Sequence, residues 1–177
     1  MAAIDPARLI FLDETSTPTT LTPLRARAAG GQRAHGRLPR GRREAISWLA
    51  TLTVSGLGES LLVRGAVDQL VFETFVERVL APSLRPGQIV VLDNLSVHKS
   101  ATAKARIKAA GCHLVFLPTY SPDMNPIEHA FAKTKQALRR VGARSFAAII
   151  TAVAETLPTI TVPDALAFFA AAGFPVR

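Results

Sequence analysis

The chain has 177 residues, 49% of them hydrophobic, a single cysteine and a formal net charge of +8. Its length suits one well-packed domain and is short for two. No apolar run approaches bilayer-spanning length and no signal-peptide pattern opens the chain. The lone Cys112 excludes an internal disulfide framework and a cysteine-based zinc site. The expectation is a soluble, intracellular protein.

The charge is concentrated. Residues 15–43 hold seven arginines (Arg25, Arg27, Arg33, Arg37, Arg40, Arg42 and Arg43) and no acid. Removing those seven from the 21 basic side chains leaves 14 against 13 acids, so the remainder is nearly neutral. Guanidinium forks pair with phosphate oxygens and release counterions, so this segment is expected to contact nucleic acid. The structural alternative is a solvated basic loop.

In chain order, residues 8–13 read as a central strand, apolar on both faces and therefore covered on both. Thr15-Ser16-Thr17-Pro18 is expected to end it, and the arginine segment follows as an extended loop over about residues 15–43. Ile46, Trp48, Ala50, Leu52 and Val54 alternate, which marks a strand with one buried face. A turn at Ser55-Gly56-Leu57-Gly58 leads to a hairpin partner over residues 59–64. Asp68 is expected to cap a helix that turns Leu70, Val71, Phe75, Val76, Val79 and Leu80 inward and stops near Pro82. Ile89-Val90-Val91-Leu92-Asp93-Asn94 is a second apolar run that closes on a carboxylate. Ser100 caps a short helix over residues 101–110, Gly111 ends it, and a short strand follows over residues 112–117 with Cys112 as a small buried hydrophobe. Asn125 is expected to cap a helix over residues 126–141, with Pro126 at the first helical position, where a missing N–H costs nothing. Two more helices are expected over residues 146–156 and 163–172.

This order gives an α/β fold, a mixed sheet with helices on both faces. The right-handed crossover rule sets the strand closing on Asp93 parallel to and beside the strand closing on Asp13. Both aspartates then lie at the carboxyl edge, where open α/β sheets build their sites.

Phosphodiester cleavage builds charge on the entering and leaving oxygens, and two divalent ions about 3.5–4 Å apart stabilise both. Magnesium prefers oxygen ligands and needs few carboxylates. Asp13 and Asp93 on neighbouring strands can share one ion, and Glu128 on a facing helix can hold a second. Each has a structural alternative, since aspartates terminate strands and Asn125-x-x-Glu128 has capping-box spacing. Their convergence at one edge is what points to metal. Glu14 and Asn94 follow the candidate ligands and point away from them, which suits turn or supporting roles. His98 can contact a phosphate, orient water, or be a solvated loop histidine; His113 and His129 read as structural or exposed. Lys99, Lys133 and Lys135 are placed to meet phosphates, although charged helix faces are usually only solvated.

Leu92-Asp93-Asn94-Leu95-Ser96-Val97-His98-Lys99, followed by Leu117-Pro118-Thr119-Tyr120-Ser121-Pro122-Asp123-Met124-Asn125-Pro126-Ile127-Glu128, resembles the catalytic domain of DDE transposases, in the mariner-related branch of bacterial insertion sequences. The likeness extends through Phe11-Leu12-Asp13-Glu14-Thr15, covering roughly residues 8–140, and 34 residues separate Asp93 from Glu128, a spacing typical of that superfamily. The resemblance implies a ribonuclease-H-like five-stranded mixed sheet, with Asp13, Asp93 and Glu128 as the catalytic triad of a DDE endonuclease. It implies two magnesium or manganese ions, nicking at transposon ends, and strand transfer into target DNA, typically at a TA dinucleotide. A DNA partner, a homodimer that joins two transposon ends, and a cytoplasmic, nucleoid-associated location follow from the same resemblance. Full-length members carry an N-terminal helix-turn-helix region that recognises terminal inverted repeats, whereas here the first catalytic strand begins almost at Met1. The whole chain, residues 1–177, therefore reads as one catalytic domain, whether fragment, second reading frame or remnant, with end recognition expected from a separate segment. Two rivals stay open: a catalytically idle DNA-binding remnant, and another ribonuclease-H-like nuclease such as a junction resolvase or hybrid hydrolase. A doubly wound phosphate-binding protein is disfavoured, because no glycine-rich loop follows either carboxylate-ending strand.

Overall fold

The first strand outruns its expected end. β1 (Leu9–Pro18) continues five residues beyond Asp13 because its second half pairs antiparallel with β2 (Ala45–Thr53), Asp13 opposite Ala50 and Pro18 opposite Ala45. Threonine suits a pleated strand, and Pro18 is tolerated at the strand terminus, where a ladder donor is dispensable. The computed structural model describes residues 4–23, 25–36, 39 and 44–175, so Arg37, Arg40, Arg42 and Arg43 lie outside the described residues.

β3 (Gly56–Arg64) pairs antiparallel with β2, and the connecting turn is tighter than expected. The strand already begins at Gly56, whose φ of 118° is a conformation that only glycine adopts readily. On its other side β1 pairs in parallel with β4 (Ile89–Leu92), but only through Leu9, Ile10 and Phe11. β4 in turn pairs in parallel with β5 (His113–Phe116), giving the order β3-β2-β1-β4-β5. Beyond Phe11, therefore, β1 has β2 on one flank and a notch on the other.

α1 (Gln69–Phe75) opens on Asp68, whose carboxylate accepts the Val71 N–H at 2.8 Å. It widens into a π-helical turn, Val76–Leu80, and closes in a 3-10 turn, Ala81–Ser83, that carries Pro82 inside it. Leu70 is 71% exposed, contrary to its expected inward position, and Phe72 is the residue buried there. α2 (Ala101–Ala109) is capped by Ser100, and α3 (Ile127–Val141), α4 (Phe146–Thr156) and α5 (Val162–Ala171) complete the chain.

Alternation along the strands divides the core between the two sheet faces. Phe11, Trp48, Ile127, Phe131 and Phe169 pack beneath α3, α4 and α5; Trp48 meets Phe131 edge-on at 5.0 Å and Phe11 meets Phe169 at 5.3 Å. Leu12, Leu49, Phe72, Phe75, Ile107 and the buried Cys112 fill the opposite face beneath α1 and α2. Helices cover both faces, as expected. Among the described residues no single helix is long and apolar enough to cross a membrane.

Candidate active site

Asp93 follows directly on β4, and Asp13 lies on β1 two residues past the last one paired with β4. Alternation puts Asp13 on the face of Leu9 and Phe11, the face that α3 covers. α3 begins at Ile127, so its first turn carries Glu128 to the same edge. The three carboxylates line a single cavity of 320 Å³, together with Asn94, Leu95, Ser96, Thr119, Tyr120 and Asn125.

The two aspartates live in unlike surroundings. Asp13 is 5% exposed, and burial pushes its carboxyl up to about 7. The Glu14 N–H, 2.7 Å from Oδ1, pulls it down, while the charges of Asp93 and Glu128 add to the rise. For Asp93 burial also pushes upward, but the His98 imidazole and the Leu95 N–H, both on Oδ1, bring the carboxyl below its ordinary value. An ionised carboxylate only accepts, so His98 carries its proton on Nδ1.

His98 is fully buried, with its ring 4.7 Å from that of Phe72. This corrects both the solvated-loop and the phosphate-contact expectations: the ring is sealed from solvent and holds Asp93. Asn125 is a second correction. α3 starts at Ile127 with Pro126 in the cap position and no side-chain cap bond. The buried Asn125 amide instead donates to Asp13 Oδ2 at 2.7 Å, across the sheet edge. Its Oδ1, like Glu14 Oε2 and His98 Nε2, is buried without a hydrogen-bond partner among the described residues.

Glu14 is half-buried on the face opposite Asp13; burial raises its carboxyl, and the nearby His98 lowers it. Asn94 Nδ2 donates to Thr119 Oγ1 at 3.0 Å, tying the loop after β4 to the loop after β5. Lys99 is exposed. The Lys133 ammonium donates to the Thr159 carbonyl and to Asp164, each at 2.8 Å, while its side chain lines a groove with Arg25. Lys135 is part-buried; burial lowers its ammonium and the charge of Glu128 raises it, which places the two on one side of α3. Arg25, Arg27 and Arg33 are exposed. Arg25 shares a groove of 670 Å³ with Lys133, Gln136, Arg139 and Arg140, and the sequence reading singles out neither Arg139 nor Arg140 for this role. Its one sequence signal is helical phase: Arg139 recurs 11 residues after Glu128, three turns along the same face of the helix, and Arg140 is its neighbour.

The acids and amides lining the cavity offer oxygen donors, which suit magnesium or manganese. Among the described residues no three His, Cys, Asp or Glu side chains group tightly enough to hold one ion. Magnesium keeps several waters and takes one or two carboxylates, so paired acids meet its needs. Burial, with the charges of Asp93 and Glu128 adding to it, is what lifts the Asp13 carboxyl.

A family model described as DDE superfamily endonuclease matches residues 8–150. None of the curated protein sequences matches the chain. Among solved structures, the Mos1 strand transfer complex aligns with a TM-score of 0.75 at 18% identity, covering 94% of this chain and 52% of that one. The mariner Mos1 paired end complex with Mg gives 0.72 at 18% identity, covering 94% and 53%. The Mos1 transposase catalytic domain with Raltegravir and Mg gives 0.68 at 14% identity, covering 94% and 78%. This chain thus spans about half the length of the Mos1 chains in the two complexes. The likeness establishes the fold as the ribonuclease-H-like mixed sheet implied by the motif resemblance.

Proposed function

The chain belongs to the DDE superfamily of endonucleases, and from that premise we propose that it is a metal-dependent DNA endonuclease and strand transferase, a transposase acting at insertion-sequence ends. One observation carries the reading. Asp13, Asp93 and Glu128, far apart in sequence, line one cavity, where burial and the other two charges raise Asp13.

Asp13 and Asp93 would hold one magnesium or manganese ion between them, and Glu128 a second. When bound, such ions stabilise charge on the oxygens entering and leaving phosphorus. The chain's own residues fix the ligands beforehand. Asn125 and the Glu14 N–H each take one oxygen of Asp13, while His98 and the Leu95 N–H fix Oδ1 of Asp93. Preorganised ligands of this kind cost no rearrangement at the moment of reaction.

DNA would be gripped along α3. At about 1.5 Å per residue, Arg139 and Arg140 stand about 16–18 Å from Glu128, a reach of about five base pairs of duplex. Arg25, beside them in the groove, brings the basic segment to the same track. The Mos1 structures include a paired-end complex with the left transposon end and paired end complexes with Mg and with Mn, which supports DNA and a divalent ion as what this cavity takes. A homodimer and a separate N-terminal recognition segment belong to the same proposal.

The experiment is manganese-dependent nicking of labelled duplex by the wild type beside Asp93→Asn. Nicking falls about a hundredfold or more in the variant while DNA binding persists. Equal nicking by both proteins, or nicking that survives chelation, refutes the assignment. Binding without any cleavage by the wild type identifies an idle remnant, and activity confined to branched or hybrid substrates identifies another nuclease of this fold.

A further inference from the structure

The end of the sheet away from the three carboxylates carries a separate cavity, of 350 Å³. Asp93 follows β4, whereas this cavity is lined by Gln88, the residue before β4, and by Ile10 at the start of β1. Its floor is buried: Ile10 is 6% exposed, Thr51 2% and Leu80 1%. Half-buried Val54, Glu59 and Gln88 stand in its walls, and the exposed Arg85 stands at its rim.

Two irregular turns of the backbone meet here. The β2–β3 register shifts between Ala50 and Leu52, which sets Thr51 at a bulge, and the π-helical turn ends on Leu80. Bulges and π turns each interrupt a regular element, and both recur where a site is built. Gly58, also in the lining, is not among the glycines with positive φ, so its backbone does not call for glycine. Space does, since a Cβ there would stand 2.7 Å from Thr51 Oγ1.

The charges in the cavity are not closed on one another. Glu59 and Arg85 form no ion pair with each other, and neither has another ion-pair partner among the described residues. Gln88 Oε1 already accepts the Arg85 N–H at 2.7 Å, which leaves the Gln88 amide N–H₂ as a donor in the wall. A guanidinium with an amide donor suits a carboxylate, and a carboxylate suits an ammonium. Ile10, Val54 and Leu80 add an apolar bed. The volume lies at the low end of the roughly 300–1,000 Å³ usual for small-molecule sites. One acid, one base and a small apolar floor match an aliphatic amino acid in its zwitterionic form.

We propose that this cavity binds a free aliphatic α-amino acid. Its ammonium meets Glu59, its carboxylate meets Arg85 and the Gln88 amide, and its side chain lies against Ile10, Val54 and Leu80. The site is distinct from the carboxylate cavity and stands whether or not that cavity cuts DNA.

The test titrates the full chain with leucine, with leucinamide, which lacks the carboxylate, and with N-acetylleucine, which lacks the ammonium. Saturation-transfer NMR reads the binding and gives the dissociation constants. Leucine binds about 10–100-fold more tightly than either derivative, because each has lost one charge-assisted pairing. In Glu59→Gln, leucine falls to the level of N-acetylleucine, which is itself unmoved. In Arg85→Gln, leucine falls to the level of leucinamide, again with the derivative unmoved. A misfolded variant would lose all three ligands, and unchanged melting temperatures exclude that cause. No saturation transfer from leucine to the wild type overturns the proposal, as does equal binding of all three compounds or full leucine affinity in both variants. A derivative that binds as tightly as leucine also overturns it, since the cavity would then take one end of a peptide. Both variants nick duplex as the wild type does, so this result and that of the nuclease test are read separately.

Discussion

Substituting Asp13 with asparagine measures what burial makes its ionisation cost, provided the protein is kept metal-free in a chelator. In the folded chain the Asp13 carboxyl stands at about 7, against an ordinary 3.8. Between those values the native state keeps a proton that the unfolded chain has already released, so stability falls as pH rises. Over about three pH units at about 1.4 kcal/mol each, the loss reaches at most about 4 kcal/mol above pH 7 and is absent below the unfolded value. This slope is opposite in sign to that of a carboxylate stabilised by an ion pair. Asparagine keeps the shape and an acceptor for Asn125, but it sets an amide N–H₂ against the Glu14 N–H, a pH-independent cost of about 1–3 kcal/mol.

The quantity to follow is therefore the change with pH, not the offset. Urea unfolding of both proteins between pH 4 and pH 8, read by circular dichroism, should show the variant gaining on the wild type by up to about 4 kcal/mol across that range. Magnesium or manganese added at pH 8 should stabilise the wild type and leave the variant nearly unmoved, because an ion that binds only the folded state adds its binding free energy to stability. A wild-type-to-variant difference that stays flat with pH would refute the claim that Asp13 is held in a desolvated position.

Tyr120→Asn should relieve the strain of a left-handed φ of 59° at that position and raise stability by about 1 kcal/mol, a melting shift of about 2–4 °C by calorimetry; a loss of stability would contradict the strain. His98→Ala should weaken metal affinity or nicking about 10–100-fold, and His98→Asn, whose amide N–H replaces Nδ1 as the donor to Asp93, should recover part of it. Arg139→Ala should lower the slope of log affinity against log salt by about one, uniformly across sequences, if its guanidinium meets a phosphate. An unchanged slope removes it from the DNA track.

The parts of the site that depend on local pattern are legible in the amino-acid sequence alone. Two apolar runs closing on Asp13 and Asp93 read as strands covered on both faces, and the handedness of the crossover is enough to make them neighbours. What is not legible depends on partners distant along the chain. Pro18 and its hydroxyl neighbours signal a strand end, yet β2 supplies a full ladder that overrides them. Leu70, Val71 and Phe72 allow more than one helical phase, and the sheet surface selects Phe72. Asn125 has the spacing of a cap, but the carboxylate that claims its amide lies 112 residues away. His98 has the look of a loop residue, and only the folded chain brings Phe72 over its ring.

These departures share a cause, and it bears on function. Had β1 ended at Asp13, the carboxylate would stand at a solvated strand terminus, as a turn former does. Because β1 continues along β2, Asp13 is fixed mid-strand with one flank open to the notch beside β4, and burial follows. Asp93, at a true strand end, reaches His98 and the Leu95 N–H instead. One aspartate is thus kept ionised by its hydrogen bonds and the other is held where ionisation is costly, the division of environments that sets paired acids apart. The unequal lengths of two neighbouring strands, ten residues in β1 and four in β4, create that division. Shortening the β1–β2 ladder from its far end should therefore ease Asp13 towards ordinary behaviour before it disturbs Asp93.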